Sequence, residues 1–208
     1  MTKILYLTSS PRGEDSYSNR AASDLIADIT RRDPAARVTH RDLAADPLPH
    51  IDADFVAATR GPNGPQTPAQ HDGAARSDEL IDELLAADTI VISAGMINFG
   101  IPSTLKAWID HVARPGRTFS YAGGKPEGLV TGKKVILVVA TGGDYSGAGA
   151  AMDFQVPYLR HVLGFLGMND VEVFTVAGTG YGPEAAAKAI EATRQTIHRR
   201  CNEVATAA

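Results

Sequence analysis

Cysteine is almost missing from this chain of 208 residues, with Cys201 as its one thiol. A single cysteine permits neither an internal disulfide nor a cysteine-based metal cluster. Near the C-terminus it reads as a small apolar residue packed on a last helix. Long apolar runs are missing too. No stretch reaches the roughly 18 residues that span a bilayer. The apolar segment after Met1-Thr2-Lys3 is too short for a signal-peptide core, and no small-residue cleavage site follows it. These features predict a cytoplasmic chain with no membrane partner. A dominant charge sign is also lacking: Lys+Arg 20 against Asp+Glu 24 leave a net charge of −4, which gives no reason to expect a nucleic-acid partner.

Several chemical signatures are lacking as well. His40, His50, His71, His111, His161 and His198 are scattered without metal-ligand spacing, so no metal is expected. Gly128-Leu129-Val130-Thr131-Gly132-Lys133-Lys134 looks like a P-loop. However, it has three residues between its glycines where four are needed, and it precedes a strand. Gly178-Thr179-Gly180-Tyr181-Gly182-Pro183 lacks the spacing of a dinucleotide fingerprint and reads as a strand-to-helix turn. No Gly-x-Ser-x-Gly nucleophile elbow occurs. No acid–base constellation emerges either, so no catalytic side chain is expected. That fits an enzyme whose cofactor carries the chemistry.

What is present is alternation. Apolar, β-branched runs at Lys3–Thr8, Arg37–Leu43, Thr89–Ala94, Lys133–Ala140 and Val171–Ala177 read as five strands, the second weaker than the rest. Between them the period changes. Ala22, Leu25, Ile26 and Ile29 follow helical spacing, with Ser16 or Ser18 as N-cap and Asp33-Pro34 as the stop. Ser77–Ala87, Pro102–Arg114 and Tyr158–Leu166 read as further helices. Pro183–Val204 closes the chain, with Ala186, Ile190, Ile197, Cys201 and Val204 along one stripe. Residues 44–70 carry Pro47, Pro49, Pro62, Pro65 and Pro68 and read as one long loop. No repeat or second domain is visible, so residues 1–208 are expected to form a single domain. Strand–helix alternation predicts an α/β three-layer sandwich around a five-stranded parallel sheet. Five strands favour the flavodoxin-like order 2-1-3-4-5, with a ligand at the carboxyl ends of the first, third and fourth strands.

The loops at those three ends are the most distinctive parts of the sequence. The first, from Ser9 to Asn19, is rich in hydroxyls and opens a helix, which suits a phosphate, with Arg12 as an added cation. The same residues also suit plain helix capping. The second, Gly95-Met96-Ile97-Asn98-Phe99-Gly100-Ile101-Pro102, offers apolar contacts and an amide to a flat ring, unless Met96 and Phe99 are simply core. In the third, Ala140-Thr141-Gly142-Gly143-Asp144-Tyr145-Ser146-Gly147, paired glycines allow close backbone approach, and Tyr145 could lie on or beside a ring, unless the stretch is a flexible surface loop.

With these residues in place, the sequence resembles the bacterial FMN-dependent NADH-azoreductases along essentially its whole length. The matching stretches are Ser9-Ser10 with Ser16-x-Ser18-Asn19, and the specific block from Met96 to Asp110 containing Asn98-Phe99, Pro102-Ser103, Leu105-Lys106 and Trp108. Gly128 to Lys134, Gly142-Gly143, Pro157-Tyr158-Leu159, Gly164-Phe165-x-Gly167 and Tyr181-Gly182-Pro183-Glu184 match as well.

The resemblance implies a tightly bound FMN. Ser10, Ser16, Tyr17 and Ser18 would hold its phosphate. Met96, Ile97, Asn98 and Phe99 would line the isoalloxazine, and Ala140, Thr141, Gly142 and Gly143 would meet its polar edge, with Tyr145 nearby. It further implies a homodimer with Phe119 and Tyr121 bordering the substrate space. NADH is the implied donor, with NADPH possible. A quinone or azo compound is the implied acceptor, reduced by two electrons in ping-pong order. The chain departs from the family pattern at Gly95 (usually Pro), Ile97 (usually Tyr), Ala140 (commonly a hydroxyl) and Thr141 (commonly Arg). These changes bear on redox potential and substrate range more than on FMN binding. A different class, a non-catalytic flavodoxin-like electron carrier, would bind the same cofactor but would not be bleached by NADH. A phosphoryl-accepting receiver would need acidic residues after the first strand and an Asp after the third. Serines and Gly95-Met96 stand there instead.

Overall fold

A computed structural model describes residues 1–206, with side chains through Glu203. The strands are β1 (Lys3–Thr8), β2 (Arg37–Asp42), β3 (Thr89–Gly95), β4 (Phe119–Ser120), β5 (Glu127–Gly128), β6 (Lys134–Ala140) and β7 (Asp170–Val176). The helices are α1 (Tyr17–Arg32), α2 (Ala53–Arg60), α3 (Pro68–Ala86), α4 (Ser103–Val112), α5 (Val156–Phe165) and α6 (Pro183–Thr206).

Side chains along the strands alternate between two cores, the two-residue period of a pleat. Leu5 and Leu7 of β1, Ile90 and Ile92 of β3, and Val135 and Leu137 of β6 pack with Leu80 and Leu84 of α3, Trp108 of α4 and Leu163 of α5. On the other face Ile4, Tyr6, Val91, Ile136 and Val138 pack with Ala22 and Leu25 of α1 and Ile190 and Ile197 of α6. Burial on both faces is why these strands read as unbroken apolar runs. Each buried leucine contributes about 1.5–3 kcal/mol relative to an exposed one. Cys201 packs beside the second core, and burial raises its thiol pKa. The Val204 side chain lies outside the described residues.

The five long strands pair in parallel in the order β2-β1-β3-β6-β7. This is the expected flavodoxin-like order, because β4 and β5 form a separate antiparallel hairpin between the third and fourth sheet strands. β2 lies at the edge and is largely exposed, which explains its weak apolar signal.

Residues 44–70 are not one structureless loop. Asp52 caps α2 by accepting from the Phe55 N–H at 2.8 Å, and Phe55 and Ala58 are buried. Thr67 caps α3, which starts at Pro68 rather than Ser77. The first three turns of α3 bury only Ala74 and Ser77, so they show no apolar stripe. Their start is set by capping and by the fixed φ of Pro68. No helix among the described residues is long and apolar enough to cross a membrane.

Candidate functional site

The carboxyl end of β1 opens into the serine loop. Ser9 Oγ donates to the Ser93 carbonyl of β3 at 2.8 Å, tying the loop to the neighbouring strand. A single 3-10 turn at Gly13–Asp15 reverses the chain into α1. Ser16, not Ser18, is the N-cap: its Oγ accepts from the Asn19 N–H at 3.3 Å. Ser18 is fully buried, with its Oγ 3.1 Å from that of Ser16. A helix leaves its first N–H groups without intrahelical partners. Here Asn19 N–H is taken by the cap and Arg20 N–H by the Ser16 carbonyl. The N–H groups of Tyr17 and Ser18 therefore remain to meet a ligand, with the buried hydroxyls of Ser10, Ser16 and Ser18 beside them. Arg12 lies over the Tyr17 ring, its guanidinium 5.2 Å from the centroid, within cation–π reach.

The loop after β3 begins with the Met96 N–H donating to the Ala140 carbonyl at 2.8 Å. Ile97 and Gly100 then exchange two backbone hydrogen bonds of 3.0 Å each, so Asn98 and Phe99 are the central residues of a tight reverse turn. Both have positive φ, 48° and 68°, as a two-residue turn of this hand requires. Asn tolerates this region, whereas Phe does so at a cost of about 1 kcal/mol. Such strain concentrates at functional sites. It holds Phe99 outward: Phe99 is 48% exposed and Ile97 41%. Phe99 is thus not core, and its ring sits 6.2 Å from that of Tyr145, edge to face. The turn is held from behind by the Phe154 N–H, which donates to the Phe99 carbonyl at 3.1 Å. Gln155, fully buried, donates to the Ala94 carbonyl at 3.3 Å, and its Oε1 has no partner.

The loop after β6 is braced by the one after β7. Gly178 and Gly180 N–H donate to the carbonyls of Gly143 and Gly142 at 3.1 and 2.9 Å, and Thr179 Oγ1 donates to the Thr141 carbonyl at 3.0 Å. The Gly178–Pro183 stretch is the strand-to-helix turn expected from sequence, but it also fixes the glycine pair, which sequence alone did not reveal. Thr141, nearly buried, donates to the Gly143 carbonyl at 2.8 Å. Asp144, at the exposed tip, is held below its ordinary pKa by hydrogen bonds from Ser146.

Together these loops fit FMN. The helix start offers N–H and hydroxyl donors to a phosphate. A Cβ added at Gly95 or Gly142 would meet no atom within 4 Å, so there is open space where β3 and β6 end. Ile97, Phe99 and Tyr145 supply apolar surface around it, and the loop backbones supply polar edges. The structure brings Ser10, Ser16, Tyr17 and Ser18 to the first of these loops, Met96–Phe99 to the second, and Ala140–Gly143 with Tyr145 to the third. Phe119 and Tyr121 are elsewhere, on the β4–β5 hairpin. Phe119 is buried 4.7 Å from the Phe165 ring, and Tyr121 is exposed against its edge. No group of three or more potential metal ligands occurs among the described residues.

Comparison with known proteins agrees with this geometry. The flavodoxin-like-fold family matches residues 2–201. An FMN-dependent NADH:quinone oxidoreductase of Rhizobium johnstonii is 53% identical over 209 residues, covering 100% of both chains. One from Mesorhizobium japonicum is 50% identical over 188 residues, 90% of each chain. The crystal structure of an azoreductase from Bacillus anthracis str. Sterne superposes with a TM-score of 0.88 at 29% identity, covering 98% of this chain and 100% of that one. With its strand order, its three converging loops and these relatives, the chain belongs to the flavodoxin-like-fold family, beside the FMN-dependent NADH:quinone oxidoreductases and azoreductases.

Proposed function

We propose that this protein is an FMN-dependent NADH:quinone oxidoreductase that also accepts azo compounds. The observation that carries the reading is the convergence of a donor-rich helix start with a strained, outward-facing Asn98-Phe99 turn at adjacent strand ends. When bound, FMN would supply two-electron hydride chemistry between NADH and a quinone or azo acceptor, in ping-pong order.

The chain's own residues bind and orient. Tyr17 and Ser18 N–H groups, with the hydroxyls of Ser10, Ser16 and Ser18, hold the phosphate. Met96–Phe99 and Ala140–Gly143 position the ring, and Tyr145 borders it. Phe99 and Ile97 present apolar surface to a planar reactant, which supplies proximity rather than acid–base catalysis. No titratable side chain of this set needs to move a proton, because water can supply it.

We also place the protein as a homodimer. Exposed Ile97, Phe99, Phe154 and Tyr181 ring the site, a surface suited to a second copy, and Tyr121 would then border the substrate space across the interface. The test is steady-state kinetics of FMN-loaded protein with NADH and a soluble quinone. Parallel double-reciprocal lines are expected. Intersecting lines contradict the ping-pong order, and no quinone reduction at all contradicts the enzyme.

A further inference from the structure

Asn19 binds no ligand in this reading, yet four hydrogen bonds tie it into the serine loop and the strands beside it. Its Nδ2 donates to the Gly13 carbonyl at 3.1 Å, and its Oδ1 accepts from Ser93 Oγ at 2.6 Å. Its backbone N–H donates to Ser16 Oγ at 3.3 Å, and its carbonyl accepts from the Tyr6 hydroxyl at 3.3 Å. The orientation of the amide is fixed by chemistry. A backbone carbonyl only accepts, so the NH2 must face Gly13, and the Ser93 hydroxyl must donate to the oxygen.

One side chain thus joins three segments. Gly13 lies in the loop that leads into α1, and it sits at φ +53°, a left-handed conformation that glycine adopts without strain. The Gly13 carbonyl is engaged twice, by Asn19 Nδ2 and by the Ser16 N–H at 3.2 Å. Ser93 lies in β3 two residues before Gly95, and its carbonyl takes the Ser9 hydroxyl. Loop, helix start and central strand are therefore locked in register through Asn19. Each of the four polar groups of Asn19 is engaged within the protein, with one N–H of the amide NH2 left over from these bonds.

We infer that Asn19 is a positioning residue that sets the protein's preference for a phosphorylated flavin, by holding the Gly13–Ser18 donors in the arrangement a phosphate needs. The inference rests on the FMN reading above. Asn19→Asp is the sharpest variant. It keeps the size but replaces the donor facing Gly13 with an oxygen, so two acceptors oppose each other and the loop is pushed away; it also adds a negative charge, so the uncharged Ser93→Ala separates loop position from charge.

The experiment titrates FMN and riboflavin separately into apo-protein, following flavin fluorescence, with urea unfolding of each apo-protein alongside. Riboflavin lacks the phosphate and so reports the ring site alone. In N19D the preference for FMN over riboflavin is expected to fall by about tenfold or more, the loss of a charge-assisted arrangement, with riboflavin affinity nearly unchanged. If N19D lowers both affinities by the same factor, or changes neither, the inference is overturned. Ser93→Ala is the second variant, for the case in which N19D does not fold. It frees the amide oxygen without opposing Gly13, and it is expected to lower the preference by about threefold. An unchanged preference there overturns the inference as well. A wild-type protein that shows no preference for FMN overturns the FMN reading itself, whereas a wild-type preference that survives both variants overturns the role of Asn19 alone.

Discussion

Phe99 shows how a single residue can be held against its own conformational preference. A bulky side chain at φ 68° is strained, and glycine there would relieve the strain while adding disorder to the unfolded chain. Phe99→Gly is therefore expected to leave apo-protein stability within about 1 kcal/mol of wild type in urea unfolding. The same variant should lose most quinone turnover, because the apolar surface facing Tyr145 is gone. A large drop in stability would mean that Phe99 supports the fold instead. His111 makes the opposite kind of contribution. It is buried in α4, 4.7 Å edge-on from Phe55, with Nε2 3.0 Å from the Pro49 carbonyl. Burial, reinforced by Arg76, keeps its pKa below the ordinary 6.5, while the Pro49 carbonyl and Asp110 oppose that shift. The unfolded chain takes up this proton first, so the stabilising contribution is complete above the ordinary value and is lost as pH falls towards the lower folded value. The urea midpoint of wild type should fall between about pH 7 and about pH 5.5 more steeply than that of His111→Asn. Equal slopes would show that His111 is not the group responsible.

At the scale of elements, the loops after β6 and β7 act as one unit. A Cβ at Gly180 would lie 3.0 Å from the Gly142 carbonyl oxygen, so Gly180→Ala obliges the glycine pair to give by a few tenths of an ångström. Flavin affinity is expected to drop about tenfold, measured by fluorescence titration, with FMN and riboflavin affected alike because the phosphate end is untouched. The legibility of elements follows the same physics. β1, β3 and β6 could be read from sequence because burial on both faces demands unbroken apolar runs. α2 and the start of α3 could not, since Asp52 and Thr67 fix them through caps and their exposed faces carry no period. The β4–β5 hairpin pairs only Phe119–Ser120 with Glu127–Gly128, too short to leave a pattern.

For the molecule as a whole, the sheet order follows from five strands alternating with helices, and the same order places the three ligand loops side by side. The loops could therefore be located from sequence before their geometry was known. What sequence could not show were the contacts between them. The bond from Ser93 to Asn19 spans 74 residues and the one from Gln155 to Ala94 spans 61, and neither leaves a local motif. The loops that carry the candidate site were legible, whereas the contacts that hold them in place were not.

The central claim is that these loops hold FMN so that NADH can reduce it directly. Purified protein supplied with FMN, made anaerobic and mixed with NADH, reports on this in its visible absorbance. The account predicts that the flavin bands bleach on NADH and return when a quinone is added. A bound flavin that NADH leaves oxidised would contradict it and point to an electron carrier on the same fold.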